Sequence, residues 1–215
     1  MSVPENLDQI VIESAFALAI ERGWTGFSMD DVATEVATET TLSESAIRAH
    51  YPAKALILSA FERHIDAIVL AEDSPFDEFD SPRDRIFEML MLRFEAMQPY
   101  KPALVRIARD LPRDPLSLLA NGPTAALSMT KMLNAAGEST RGLMGIAHAH
   151  GLLAVWAATA RVWLTDENPD LSQTMAALDR NLRRGERLLN GVPKLGPRRP
   201  AAFMRTPEPD FQTDS

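Results

Sequence analysis

The chain has 215 residues, with 15 prolines, 10 glycines and no cysteine. That length suffices for one large domain or two small ones with a buried core. The absence of cysteine excludes disulfides, thiolate zinc sites, iron–sulfur clusters and cysteine nucleophiles. Lys and Arg number 22 against 30 Asp and Glu, which gives a formal net charge of -8. The overall field therefore does not draw the protein to nucleic acid or to an anionic membrane, and any such contact needs a local patch.

Apolar residues recur at helical spacing, and no run alternates as a half-buried strand requires, so the sequence predicts an all-α fold. Gly23 is placed to end a first helix, and Ser28 with Asp31 forms the capping-box pattern that starts a second. Ser43 starts a third helix, and Pro52 separates it from a longer fourth. The predicted bounds are about 7–22, 28–37, 43–50 and 53–71.

A second helical unit follows an acidic stretch, Glu72–Asp80, which we interpret as a solvated linker. Its helices are predicted over 82–97, from 102 onward, and over 116–120, 123–136, 139–164 and 170–189. Proline-rich composition predicts a disordered tail at the end of the chain. The predicted domains are a three-helix unit with a helix-turn-helix layout over 1–54, a larger helical unit over 55–190, and the tail over 191–215.

The start of the chain and its most apolar stretch bear on localisation. Residues Met1–Asp8 carry no positive charge and so lack the first part of a secretory signal. The stretch Gly142–Ala160 has no formal charge and is long enough to consider as a membrane span. Because it is rich in Ala and Gly and contains His148 and His150, we interpret it as a buried helix instead. The sequence therefore predicts a cytoplasmic protein without a membrane span.

The N-terminal unit resembles the DNA-binding domain of TetR-type regulators, and the ungapped similarity begins with the stretch Val11–Ala33. The matching positions are Gly23, Trp24, Ser28, Val32 and Ala33, followed by Leu42, Ser43, Ile47, His50, Tyr51 and Lys54. The resemblance implies a TetR-like fold with an N-terminal helix-turn-helix unit and a larger C-terminal unit for ligand binding and dimerisation. It also implies a homodimer that binds operator DNA and a small apolar ligand that changes the operator affinity.

Charge in this unit is unfavourable for DNA binding. Residues 1–50 hold nine carboxylates against Arg22 and Arg48, a balance of -7. The stretch Val36–Thr41 is about four residues longer than the turn of the family, and Glu44 stands where a basic residue is common. The candidate DNA contacts are Thr41, Ser43, Ser45, Arg48, His50, Tyr51 and Lys54. Arg48 has two open roles, because it suits guanine in a major groove and also a pair with Glu44 one turn earlier.

The larger unit supplies candidates for a ligand site and for a dimer interface. Adaptable methionines and aromatics on its helices predict an apolar ligand pocket, with ordinary core as the alternative for each residue. These residues are Phe87, Met91, Phe94, Met97, Leu104, Leu127, Met132, Leu143, Met144 and Trp156. Small and apolar residues on the last two helices predict the dimer interface, with packing inside one chain as the alternative. These are Gly145, Ala149, Leu152, Met175, Leu178 and Leu182.

A second family gives the alternative function. The run Val162–Asp170, followed by Thr174 and 178–180, is similar to the closing segment of TetR-fold lipid-binding proteins of ubiquinone biosynthesis, which have lost DNA binding. That resemblance implies a lipid-binding accessory protein. Arginines on the last helix either face a membrane or form a solvated face with Asp179 and Glu186, and we favour the second interpretation.

The sequence predicts neither an enzyme, a metal site nor a cofactor. No Gly-rich phosphate loop and no recognisable pair of catalytic carboxylates occurs. His148 and His150 are two residues apart, which places them on different faces of a helix and argues against a shared metal.

Overall fold

The computed structural model describes residues 6–71 and 80–191, and over these residues the chain forms nine α-helices and no strand. The helices are α1 Leu7–Arg22, α2 Met29–Glu39, α3 Glu44–His50, α4 Lys54–Ala71, α5 Pro82–Met97, α6 Lys101–Asp110, α7 Pro115–Ala135, α8 Gly142–Trp163 and α9 Ser172–Gly191. The predicted all-α fold is confirmed. The predicted linker and tail, apart from Asp80 and Gly191, lie outside the described residues.

The caps predicted for the first helices are present. Gly23 follows α1 with a φ of 78°, a backbone conformation that favours glycine, and its N–H donates to Ala19. Ser28 and Asp31 form the complete capping box at the start of α2. The Ser43 side chain accepts the N–H of Ala46 and so begins α3. Local side-chain chemistry therefore sets the bounds of the first three helices.

Two predicted helix bounds were wrong. The polar stretch expected to interrupt α2 continues it to Glu39, and the Thr38 hydroxyl donates to the Glu35 carbonyl 2.6 Å away. Most of the stretch Val36–Thr41, which is longer than the turn of the family, therefore belongs to α2 and not to the turn. In the larger unit, α7 is one helix that passes through Pro123, where two helices were expected. The Asn121 amide donates to the Ser117 carbonyl at 2.8 Å, which satisfies one backbone acceptor near the proline.

One hydrophobic core joins the two units through α4. Helix α4 packs against α1 on one side and against α5 and α7 on the other. Phe16 of α1 contacts Phe61 of α4 with ring centroids 4.9 Å apart, and Phe61 contacts Tyr100 at 5.1 Å. Helix α6 packs on α1, while α8 packs on α7 and α9. The small N-terminal unit is thus held against the larger unit by apolar contact as well as by the chain.

A buried ion network lies inside the larger unit. Arg93 of α5 is fully buried, donates to Asp66 at 2.5 Å and pairs with Glu62, both on α4. Asp66 also accepts from Ser128 at 2.5 Å and from Lys131 at 3.1 Å, both on α7. Burial raises the pKa of Glu62 although the Arg93 charge opposes that shift. The network fixes the position of α4 relative to α5 and α7.

Helix α8 was expected to be buried on all sides, and the structure corrects this. Among the described helices it alone is long and apolar enough to cross a membrane, with a mean hydropathy of 1.3, and 28% of that apolar window is buried. Gly145, Ala149, Leu152, Val155 and Thr159 form its buried face. Within residues 6–71 and 80–191, the opposite face is left exposed, although a helix this apolar normally buries such a surface.

Candidate functional site

The outward face of α3 is the first candidate surface. Ile47 is fully buried and anchors this short helix to the core. Ser45 and Arg48 are exposed on its outer side, as are Thr41 and His50 at its two ends. The Ser43 hydroxyl lies 3.0 Å from that of Ser45. The structure therefore leaves Ser43, Ser45 and Arg48 exposed at α3.

Arg48 pairs with a carboxylate of the preceding helix. Its guanidinium donates to Asp30 of α2 at 2.7 Å, and both side chains are largely exposed. The pair with Glu44 that the sequence left open does not form, since Glu44 instead accepts from the Thr34 hydroxyl at 3.3 Å. The one arginine of α3 is thus held toward α2, and a phosphate or base would have to compete with Asp30 for it.

Two predicted DNA contacts, Tyr51 and Lys54, point into the protein. Tyr51 is 3% exposed and its hydroxyl donates to Asp8 of α1. Burial, together with that carboxylate, raises the pKa of Tyr51. The Lys54 ammonium donates to the Trp24 and Phe27 carbonyls at 2.5 and 2.8 Å, and desolvation lowers its pKa. Both side chains hold the N-terminal unit together, so the structure removes them from the DNA-contact set.

Two hydrogen bonds from Trp24 connect the two units, and the sequence did not indicate them. The backbone N–H of Trp24 donates to Asp110 at 2.8 Å, and the indole N–H donates to Asp114 at 3.2 Å. A hydrogen bond from Ser117 lowers the pKa of Asp114, and the indole of Trp24 adds to that effect. The sequence marks Trp24 only through the family resemblance. Its partners lie 86 and 90 residues away in sequence, so no local pattern predicts these hydrogen bonds.

The predicted ligand residues differ widely in burial. Four are buried in the core, namely Met91, Phe94, Met97 and Met132. Three are partly buried, namely Phe87, Leu104 and Trp156. The other three are exposed, namely Leu127, Leu143 and Met144 at 57%, 87% and 50%. Composition shows that a helix is apolar but not which side faces the interior, so this exposed group was misplaced.

A cavity of about 490 Å³ lies elsewhere, between α5, α7, α8 and α9. Its apolar lining is Ile86, Leu133, Leu152, Val155 and Leu182. Its polar lining includes Arg83, Glu138, His148 and Glu186. His150, by contrast, is exposed and its Nδ1 lies 2.9 Å from the Ile146 carbonyl, so the two histidines serve different surfaces.

Most predicted dimer residues are covered by the chain itself. Gly145, Ala149, Leu152, Leu178 and Leu182 are buried, and of the predicted set only Met175 is exposed, at 41%. Two of them, Leu152 and Leu182, line the cavity. They lie where α8 and α9 of one chain pack together, and packing inside one chain is the alternative to a dimer interface.

The outer face of α8 is the apolar surface that the sequence analysis overlooked. Leu143, Ala147, His150 and Ala154 are exposed at i, i+4, i+7 and i+11, which places them on one face of the helix, and Ile146 lies beside them, 56% exposed. We call this the α8 outer face.

Several solved structures share this helical architecture. A TetR transcriptional regulator from Nitrosomonas europaea superposes with a TM-score of 0.62 at 19% identity, over 85% of this chain and 99% of that one. A TetR transcriptional regulator from Rhodococcus sp. RHA1 gives 0.59 at 15% identity, over 89% and 99%. A structure assigned to the same family from Mesorhizobium loti gives 0.53 at 14% identity, over 87% and 98%.

No family model matches the chain, and no curated protein matches it. At these identities the likeness is one of fold. The chain therefore has the TetR-like fold.

Proposed function

We propose that this protein is a transcriptional regulator that binds DNA through α3 as a homodimer and responds to a small ligand bound in its larger unit. The observation that carries this proposal is the exposed surface of α3, where Ser45 and Arg48 face outward on a fold shared with transcriptional regulators. A side chain such as Arg48, at the outer face of a helix, suits hydrogen bonding to a base edge.

The charge of the N-terminal unit predicts an unusual form of DNA binding. Phosphate neutralisation normally supplies much of the affinity, and each neutralised phosphate adds to the salt dependence. Here Lys54 is committed internally and Arg48 is shared with Asp30, so few cations are free to make such contacts. We therefore expect weak binding to arbitrary DNA and a shallow salt dependence, with selectivity carried by α3 and its hydroxyl groups.

The α8 outer face supports the homodimer. It presents apolar and small side chains with no formal charge from Gly142 to Ala160, and Ala147 and Ala154 allow another helix to approach closely. The same face on a second copy is self-complementary under two-fold symmetry. A dimer would place two α3 helices at a fixed separation, and a ligand that binds one separation better would shift the operator affinity. A regulator that acts on DNA in this way would work in the cytoplasm.

The structural neighbours named above are transcriptional regulators, which favours this proposal over a lipid-binding accessory role. The test is selection of duplexes from a random pool by the purified full chain at low salt, followed by affinity measurement on the enriched sequence and on a scrambled duplex. We expect an enriched sequence that binds at least about tenfold more tightly than the scramble. Failure to enrich any sequence, together with prenyl lipid extracted from the purified protein, would support the lipid-binding alternative instead.

A further inference from the structure

The cavity between α5, α7, α8 and α9 combines an apolar floor with an acidic rim. Each of the five apolar side chains of its lining is less than about a tenth exposed, and they come from all four helices. The rim holds two carboxylates, Glu138 and Glu186, against one guanidinium, Arg83. The volume of about 490 Å³ falls within the range of small-molecule sites.

Glu138 has no charge partner in the part of the chain that the structure describes. It is half-buried at the cavity mouth, after the end of α7, and its carboxylate makes no hydrogen bond or ion pair with described residues. His148, across the mouth on α8, likewise has no described hydrogen-bond partner. Partial desolvation of an unpaired carboxylate costs free energy, and a cation placed beside it would recover that cost.

Arg83 is shared between two carboxylates of α9, since it forms an ion pair with Glu186 as well as with Asp179. Its Nη2 donates to Asp179 of α9, which Arg183 also contacts at 2.9 Å. The Nε of Arg83 lies 3.7 Å from Glu186, beyond hydrogen-bond distance, and has no hydrogen-bond partner. Glu186 thus keeps most of its capacity to accept a hydrogen bond. An anionic ligand would meet two carboxylates here and would have to displace Asp179 to reach the guanidinium.

We propose that this cavity binds a cationic amphiphile, a molecule with a hydrocarbon portion and a protonated amine or quaternary ammonium end. The hydrocarbon would lie on the buried apolar floor, and the cation would lie at the rim between Glu138 and Glu186. The proposal extends the proposed function in one respect, since such a molecule would be the effector of the regulator, but its binding requires no DNA.

Gly151 offers a way to close the cavity without disturbing the fold. It lines the cavity on α8, and a Cβ added there would meet no atom within 4 Å. Leucine in place of glycine also favours the helix. The variant Gly151→Leu is therefore expected to fold and to project a side chain into the space that the ligand needs. Ala120→Leu, at an exposed position of α7 outside the cavity, is the matched control.

The experiment is calorimetric titration of the full chain with decyltrimethylammonium, decyl sulfate and decyl maltoside, each below its micellar concentration. We expect one site per chain for the cation and at least about tenfold weaker binding of the sulfate. The double variant Glu138→Gln with Glu186→Gln should lower the affinity for the cation at least about tenfold and leave the affinity for the maltoside unchanged. Glu88→Gln, at an exposed position of α5, is the charge control and should change neither affinity. Gly151→Leu should abolish binding.

Three results would overturn the proposal: sulfate binding as tight as that of the cation, an unchanged cation affinity in the double variant, or full binding by Gly151→Leu. Failure of this inference can be distinguished from failure of the proposed function, because cation binding and DNA binding are measured separately. Cation binding by a protein that enriches no DNA sequence would reject the regulator and keep this inference. Sequence-selective DNA binding without cation binding would do the reverse.

Discussion

At the scale of single residues, the pairing of Arg48 with Asp30 decides how α3 is presented. Both side chains are largely exposed, so the pair contributes little to the stability of the fold. Its consequence is positional, because it holds the guanidinium against Asp30 of α2. The pair joins residues 18 apart in sequence, so helical spacing pointed instead to Glu44, one turn away from Arg48.

Removing the Asp30 charge should therefore strengthen DNA binding. We expect Asp30→Asn to raise the affinity for the selected duplex by about three- to tenfold, because Arg48 is released and one repulsive charge is lost. The free energy of unfolding should change by less than about 0.5 kcal/mol. Fluorescence anisotropy measures the first effect and urea unfolding the second.

The matched control is Glu35→Gln, which removes the same charge from an exposed position of α2 that does not pair with Arg48. A gain in affinity of equal size in both variants would show that general repulsion, and not the ion pair, limits binding.

Tyr51 and Lys54 show the limit of residue-level prediction. Their types suit phosphate contacts, since one is a cation and the other a neutral donor, and both lie next to α3 in sequence. Their actual partners, Asp8 and the carbonyls of Trp24 and Phe27, follow from how α1 and α4 pack together. Without the fold, no feature of the local sequence distinguishes an inward lysine from an outward one.

At the scale of the helices, Asp166 organises the connection between α8 and α9. It is buried and accepts hydrogen bonds from the Thr174 N–H and hydroxyl, both at 2.8 Å, and from the Asn168 N–H at 3.2 Å. Burial alone would raise the pKa of Asp166, but these hydrogen bonds outweigh it and hold the pKa below its ordinary value. The carboxylate therefore stabilises the folded state only when it is ionised.

The substitution Asp166→Asn should destabilise the protein in a pH-dependent way. A carboxyl with a lowered pKa contributes stability above its unfolded pKa of about 3.9 and loses it as pH falls through the folded pKa. We expect a loss of about 1–3 kcal/mol at pH 7, measured by urea unfolding, that shrinks as the pH is lowered below about 4. Glu167→Gln is the exposed control. An equal loss of stability at pH 7 and below pH 4 would show that the ionised carboxylate is not what stabilises this connection.

Helix bounds were predictable where a local cap sets them, and less so elsewhere. Gly23, Ser28 and Ser81 marked helix ends that the structure confirms, since each acts within a few residues. The continuation of α7 through Pro123 has no such local marker, since proline normally ends or kinks a helix. At the start of α9 the Ser172 N–H donates to Asp170, a local contact, and the Thr174 N–H donates to Asp166, eight residues earlier, which no local pattern predicts.

At the scale of the whole molecule, the α8 outer face is the surface that a second copy would cover. It is apolar, and α8 is mostly unburied in one chain. The sequence could indicate that α8 mediates apolar contact but could not divide its two faces. The buried face packs against α9 and lines the cavity, and the opposite face is exposed.

A charge on that face should dissociate the dimer. We expect Ala154→Glu to be monomeric at micromolar concentration, because a dimer would bury two unpaired carboxylates close together. The same substitution at Ala120, on the exposed side of α7, should leave a dimer. Sedimentation velocity distinguishes the two species. An Ala154→Glu protein that remains dimeric would move the interface to another surface.

Recognition of DNA by α3 is tested by the affinity of the wild-type chain and of Arg48→Met for the selected duplex across salt concentrations. We expect sequence-selective binding with a slope of log Kobs against log salt of about -2, since a dimer offers one α3 arginine per protomer. Arg48→Met should lose most of the selectivity and flatten the slope. Equal affinities of the two proteins for selected and scrambled duplexes, or no complex at low salt, would contradict it.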